Sequence, residues 1–155
     1  MKTVKKRRKQ GKTDYANRLK LLKSGRPRVV FRKTNKYIIA QYVVSKEAQD
    51  KIVLGVNSKE LMRNGWKEES GSLKSIPASY LTGYLIGKQI IKKKLETPIA
   101  DFGMIRVLHK TKNYAFLKGL IDAGVKIRCE KGFPDEKKIN GKIDIQKIKL
   151  EIDKL

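Results

Sequence analysis

The sequence of 155 residues has a single cysteine, Cys129, and a single histidine, His109. One thiol excludes a disulfide framework and any multi-cysteine zinc site. One imidazole leaves little for histidine-based metal or triad chemistry, so neither a metal site nor a cofactor is expected. No apolar stretch reaches the roughly 20 residues of a membrane-spanning helix. The nearest, Ile76–Ile91, is interrupted by Pro77, Lys88 and Gln89, and its Gly83 and Gly87 suit a close-packed soluble helix better than a membrane dimer. The basic N-terminus has no apolar run behind its charges and so does not read as a secretory signal. A soluble protein of the cytosol or of an organelle interior is the expectation. The phosphate-loop, dinucleotide and HExxH patterns are also missing.

Acids are scarce too: 15 Asp+Glu stand against 38 Lys+Arg, a net charge of +23 at pH 7. A chain that basic repels itself, and its natural partner is a polyanion, either nucleic acid or an anionic membrane. Hydrophobic residues make up 39% but come in runs such as VVF and YIIAQYVV, which argues for a real core carrying basic appendages. The charge is uneven. Residues 1–36 hold 15 Lys/Arg and one acid, Asp14, for +14; the remaining residues contribute +9. Within the first part, residues 5–12 contain no apolar side chain and are expected to be a disordered arm that orders on phosphate, with Arg7, Arg8 and Lys12 as contacts. Thr13–Ser24 reads as a helix capped by Thr13 or Asp14, with Tyr15, Leu19 and Leu22 as a thin apolar stripe, Arg18, Lys20 and Lys23 on other faces, and Gly25 and Pro27 as its stop. The stripe lacks Trp and Phe, which disfavours a membrane-surface helix.

The core elements follow from periodicity. Arg28–Lys33 is a strand, Thr34-Asn35 a tight turn and Lys36–Val44 a second strand, forming a hairpin. Asp50–Val56 is a third strand after a turn over 46–49, and Asn57–Asn64 a short helix beginning at Asn57 or Ser58. Ser75 is the N-cap of the main helix or stands just upstream of it, with Pro77 near the start of the helix and Lys92–Lys94 at its end. Ile99–Val107 is a fourth strand. A helix beginning at Lys112 or Asn113 ends at Gly124 in the C′ position, and Val125–Ile127 is a last strand. The order β-β-β-α-β-α-β is a layered α/β domain with a mixed sheet, the ribonuclease-H-like topology. Ile145, Ile148, Ile152 and Leu155 mark a C-terminal amphipathic helix, to be packed on the domain or on a partner. The expected division is arm and helix over 1–26, α/β core over 27–131 and C-terminal extension over 132–155.

Nucleases with that topology need carboxylates converging on two metal ions. The first strand, Arg28–Lys33, supplies none, and Asp101 and Asp122 are too scattered for a site. Asp122 reads as a solvated partner of Lys118. Cys129, beside Arg128 and Lys131, has no histidine to activate it. Catalysis is not expected. What the residues can build is a binding surface: the arm, the first helix, Arg26, the hairpin residues Arg28, Arg32, Lys33, Thr34, Asn35, Lys36 and Tyr37, and a loop with Arg106, His109, Lys110, Lys112 and Asn113. Alternation along the first strand puts Arg28, Val30 and Arg32 on one face and Val29, Phe31 and Lys33 on the other. Arginine forks grip phosphates bidentately, while Asn35 and Tyr37 suit unpaired nucleotides. A sequence-independent nucleic-acid compactor would use the arm alone.

Five collinear blocks between about residues 12 and 143 carry a resemblance: TDYANRLKLLKSGRPRVVFRKTNKYIIAQYV, ELMRNGW, PASYLTGYLIGK, YAFLKGLIDAGVKI and FPDEKKINGKI. They resemble ribosomal large-subunit protein eighteen of the archaeal/eukaryotic type. The resemblance implies a non-enzymatic protein of the cytoplasmic ribosome that does not form a homo-oligomer. It also implies binding to 5S rRNA and seating of that RNA in the central protuberance. Large-subunit rRNA, ribosomal protein five and neighbouring central-protuberance proteins would be its partners. On this chain the implied surface is Lys12–Lys23, the Arg28–Tyr37 hairpin and the His109–Asn113 loop.

Overall fold

A computed structural model describes residues 3–47, 49–67, 71–129, 132–140 and 143–154. In chain order the elements are α1 (Lys6–Lys9), α2 (Tyr15–Lys23), β1 (Arg28–Lys33), β2 (Ile38–Lys46), β3 (Gln49–Asn57), a 3-10 helix (Ser58–Asn64), α3 (Ile76–Lys92), β4 (Ile99–Asp101), α4 (Lys112–Asp122), α5 (Glu136–Asn140) and α6 (Ile145–Asp153). The sheet order is β3-β2-β1-β4. β1 runs antiparallel to β2 from Arg28 opposite Val43 to Lys33 opposite Ile38, and parallel to β4 from Arg28 beside Ile99 to Val30 beside Asp101. β2 and β3 are antiparallel, with Val53 as the extra residue of a bulge between the pairs Tyr42–Leu54 and Val43–Ile52. The mixed α/β layering expected from the sequence is what the chain adopts.

Alternation decides which face of the sheet is dry. Val29, Phe31, Ile38, Ala40, Tyr42, Leu54 and Val56 are all buried against the helices. Phe31 lies 4.8 Å from the Phe116 ring and 5.7 Å from Phe102. α3 is the hub. Pro77–Gly87 are buried without a break, because α3 packs on β2 and β3, on α4, on α5 and α6, and on the 3-10 helix. Ser75 Oγ accepts the Ala78 N–H at its start. The glycines bring α3 and α4 backbone to backbone. A Cβ on Gly83 would collide with the Phe116 carbonyl oxygen, one on Gly119 with the Tyr80 carbonyl oxygen, and one on Gly87 would stand 2.6 Å from Ala123 Cβ. This is the close helix packing the Gly83/Gly87 spacing called for. α6 closes the far side of α3 with Ile145, Ile148 and Ile152, each buried, so the C-terminal helix finds its cover within the chain.

Several local expectations are corrected. Val125–Ile127 is not a strand: Gly124 turns left-handed (φ 103°), the Val125 N–H bonds back to the Leu120 carbonyl, and Val125 is buried against the helix end. The fourth strand stops at Asp101, whose carboxylate takes the Gly103 N–H at 2.8 Å and folds the chain over through Gly103 (φ 62°). Residues 6–9 of the arm form one helical turn with no buried residue. In α2, Asp14 is the cap, accepting from Ala16 and Asn17. Leu19 points outward, 55% exposed, while Tyr15, Arg18, Leu21 and Leu22 are half-buried. Asp122 accepts the Tyr80 hydroxyl at 2.6 Å instead of pairing with Lys118. α5 was not expected from the sequence. Ala48 in the 46–49 turn, Lys131 beside Cys129, and Leu155 of the last helix lie outside the described residues.

Candidate nucleic-acid interface

The face of β1 turned away from the helices begins with Arg28, and its guanidinium is 2% exposed. Nη1 donates to Asp101 Oδ2 at 3.1 Å, and Nη2 donates to Asp50 Oδ1 at 2.7 Å and to Ser45 Oγ at 2.9 Å. Asp50 in turn accepts from Arg18 of α2 at 3.0 Å. Asp101 is reached by Arg32, whose Nη1 donates to the Phe31 and Asp101 carbonyls at 2.8 and 3.0 Å and whose Nη2 stands 3.4 Å from Asp101 Oδ1. Gly103 makes this possible, since a Cβ there would sit 2.9 Å from the Arg32 guanidinium carbon. The result is a chain of alternating charge, Arg18–Asp50–Arg28–Asp101–Arg32, with three cations on two carboxylates. Burial alone would raise the Asp50 carboxyl, but the Ser45 hydroxyl, Arg28 and Arg18 hold it below its ordinary value. The array ties α2 to the sheet, and it leaves the Arg18 and Arg32 side chains partly exposed at its two ends (37% and 42%).

The arm joins the same place. Arg7 Nε donates to Thr13 Oγ1 at 2.9 Å, and Lys5 Nζ lies 4.5 Å over the Tyr15 ring. Arg7, Lys12, Arg18 and Arg32 line one cavity of about 120 Å³ with Asp101 and Gly103. Arg8, Lys23 and Arg26 are exposed. At the far end of β1, the Thr34 hydroxyl donates to the Tyr37 carbonyl and accepts the Tyr37 N–H, which shapes the hairpin loop and presents Asn35 and Lys36 outward. Tyr37, half-buried, lines a shallow cavity with Lys36, Lys59 and Trp66.

On the other side of β1, Lys33 faces the loop after β4. His109 is exposed, with its ring 5.0 Å from that of Tyr114, which meets Phe133 edge-on. Lys110 takes a left-handed backbone (φ 57°), donates its N–H to the Gly132 carbonyl and pairs with Asp135 at 3.4 Å. Asn113 is 4% exposed and donates to the Arg106 carbonyl, so it holds the loop and does not face solvent. Lys112 is half-buried, and that burial, with Lys33 and Lys74 nearby, lowers its pKa.

The fold thus brings together Arg7, Lys12, Arg18 and Arg32 on one side of β1, and Lys33, Lys110 and Lys112 on the other. It places Arg28 and Asn113 inside as supports, and Thr34 within its own loop. Asp50 and Asp101, which hold the arginines, went unrecognised because their partners are 22 and 73 residues away in sequence. Lys74, whose charge acts on Lys112, lies in a polar loop without pattern. Among the described residues no group of three or more His, Cys, Asp or Glu could hold a metal ion. No helix of the described residues is long and apolar enough to cross a membrane.

Comparison with known proteins agrees with a ribosomal reading. Residues 1–100 match the family described as "Ribosomal large subunit proteins 60S L5, and 50S L18". The chain is 43% identical over 136 residues to large ribosomal subunit protein uL18 of Korarchaeum cryptofilum, covering 87% of this chain and 68% of that protein. It is 40% identical to large ribosomal subunit protein uL18 of Methanococcus maripaludis, covering 87% and 69%. A family match across more than half of the chain, with relatives this close over most of it, shows that the chain belongs to the L5/L18 family of large-ribosomal-subunit proteins.

Proposed function

We propose that this ribosomal protein binds 5S rRNA without catalysis and, with ribosomal protein five and the large-subunit rRNA, seats it in the central protuberance of the cytoplasmic ribosome. The observation that carries the reading is convergence. Basic side chains from four separated segments (the arm, α2, the β1–β2 hairpin and the 106–112 loop) line two cavities, one on each side of β1, the first reaching Arg32 and the second its chain neighbour Lys33. Such an arrangement lets the arm and α2 grip phosphates while the hairpin loop and the 106–112 loop meet exposed nucleotides. β1 supplies none of the carboxylates that a nuclease of this topology would need, and its Arg28 guanidinium bridges Asp50 and Asp101. Those carboxylates are committed to holding arginines.

The test is competition. Contacts to about 6–10 phosphates cost roughly 10³–10⁵ in affinity between 50 and 200 mM salt for any RNA. The proposal requires that 5S rRNA outcompete excess tRNA at every salt concentration; equal competition would leave only the compactor reading. Asn35→Ala combined with Lys36→Ala should weaken 5S binding by about tenfold while the circular dichroism spectrum stays unchanged. Deleting residues 1–11 should lower affinity for all RNAs alike and flatten the salt slope.

A further inference from the structure

Beside β1 lies a cavity of about 350 Å³ that none of the arginine array reaches. Ile76 at the start of α3, with Ile105 and Leu108 from the loop, forms an apolar floor; Lys33, Arg106 and Lys112 stand around it. Among the described residues, none of those lining it is acidic. Leu108 is 47% exposed, an apolar side chain left at the surface among cations. The volume falls at the lower end of the range for small-ligand sites. Lysine crowding is real here: Lys112 loses basicity through burial and through the fields of Lys33 and Lys74. An anion entering the cavity relieves that repulsion, and the positive end of α4, which begins at Lys112, adds to the field.

We propose that this cavity takes a single unstacked nucleotide of RNA, with its base on Ile76, Ile105 and Leu108 and its flanking phosphates on Lys33, Lys112 and Arg106. The inference rests on the RNA-binding reading and deepens it. Neither half of the ligand suffices alone. A phosphate by itself leaves the apolar floor wet, and an apolar peptide side chain leaves three of the four lining cations without counter-charge, the fourth, Lys110, being paired with Asp135. A nucleotide carries a flat, weakly hydrated base and a charged backbone at the spacing of one residue, which satisfies both. The plane of the Arg106 guanidinium can also stack on the base.

The experiment titrates the full chain with a mixed-sequence single-stranded RNA of about 12 nucleotides and with the same oligomer carrying base-free tetrahydrofuran residues. The wild type should prefer the base-bearing oligomer. Leu108→Ser should cut that preference about fivefold while leaving affinity for the base-free oligomer unchanged. Leu108→Phe, which keeps an apolar platform, should restore it, which separates the effect from a damaged fold. Lys33→Gln with Lys112→Gln should weaken both oligomers alike. An unaltered preference in Leu108→Ser overturns the inference, and so does polyglutamate binding as tightly as the base-bearing oligomer and displacing it. The 5S competition is read separately. A wild type that fails to select 5S rRNA yet shows a Leu108-dependent base preference would sink the 5S reading and leave the cavity assignment standing.

Discussion

The two faces of the sheet are organised on opposite principles. On one, α3 and α4 meet through glycine, with backbone carbonyls where side chains would otherwise be, and the surrounding Phe31, Leu81, Phe116 and Leu120 are all fully buried. Position is set there by steric fit, which is short-ranged and dry. On the other, α2 carries no fully buried residue and is held by Arg18 on Asp50, one link of an ionic chain. Position there is set by charge, so the elements stay polar and Arg18 and Arg32 stay partly exposed at the ends of the chain. The contrast suits a protein that presents a rigid platform to one side and adaptable cations to the other.

The contrast breaks first at Arg28, the one arginine of the ionic chain that is buried like a core residue. Arg28→Ala leaves the nearly buried Asp101 carboxylate without its main partner and should destabilise by about 3–5 kcal/mol. Urea denaturation measures this, and a loss near zero would show that Asp101 is served by Arg32 alone. Next comes Gly119→Ala on the dry face. Alanine ordinarily favours a helix, but here its Cβ meets the Tyr80 carbonyl, and a loss of about 1–3 kcal/mol is expected; a gain in the melting temperature would refute the backbone-to-backbone contact.

A smaller effect is expected where the two modes meet. α6 is seated by isoleucines but also by Asp153, which pairs with Lys88 at 2.8 Å and accepts the Tyr84 hydroxyl. The Lys88 ammonium holds the Asp153 carboxyl below its ordinary value. A folded-state value below that of the unfolded chain means the contribution is complete above about pH 4 and is lost as pH falls through the lowered value. Asp153→Asn should therefore lower stability at pH 7 by under about 1 kcal/mol and narrow the difference in urea midpoint between pH 7 and pH 3. An unaltered pH dependence would dissociate Asp153 from the acid sensitivity. Smallest for stability is Asp14→Ala, which removes the α2 cap at a cost of about 0.5 kcal/mol on an exposed helix. Its larger effect should fall on RNA affinity, because Arg18 rides on that helix.

Local signals were legible where one residue type has one job. Asp14, one of two candidate caps, starts α2, Ser75 caps α3, and Gly124 ends α4 in a left-handed turn. The hairpin alternation also held: Val29 and Phe31 are fully buried, and Arg28 and Arg32 lie opposite. What failed was length and company. Ile99–Val107 has strand composition but loses its ladder after Asp101, where side-chain bonds to arginines and Gly103 outcompete pairing. Leu19 fits a helical stripe, yet Arg18 faces inward because Asp50 is there. For the site, the cations could be read from composition, but not which of them would be spent internally. Arg28 and Asn113 resemble their neighbours in sequence and differ only in what the fold puts beside them.

The sequence by itself determined the class of partner, the layered α/β core and its capped helices, because net charge, alternation and caps act locally or additively. Only the tertiary structure decided the roles within the basic set: which arginine is buried as a strut, which lysines crowd around an apolar hollow, and that α6 covers α3. Those outcomes depend on carboxylates and carbonyls brought from distant parts of the chain, and an electrostatic or steric contact falls off too steeply with distance to be read before the chain has folded.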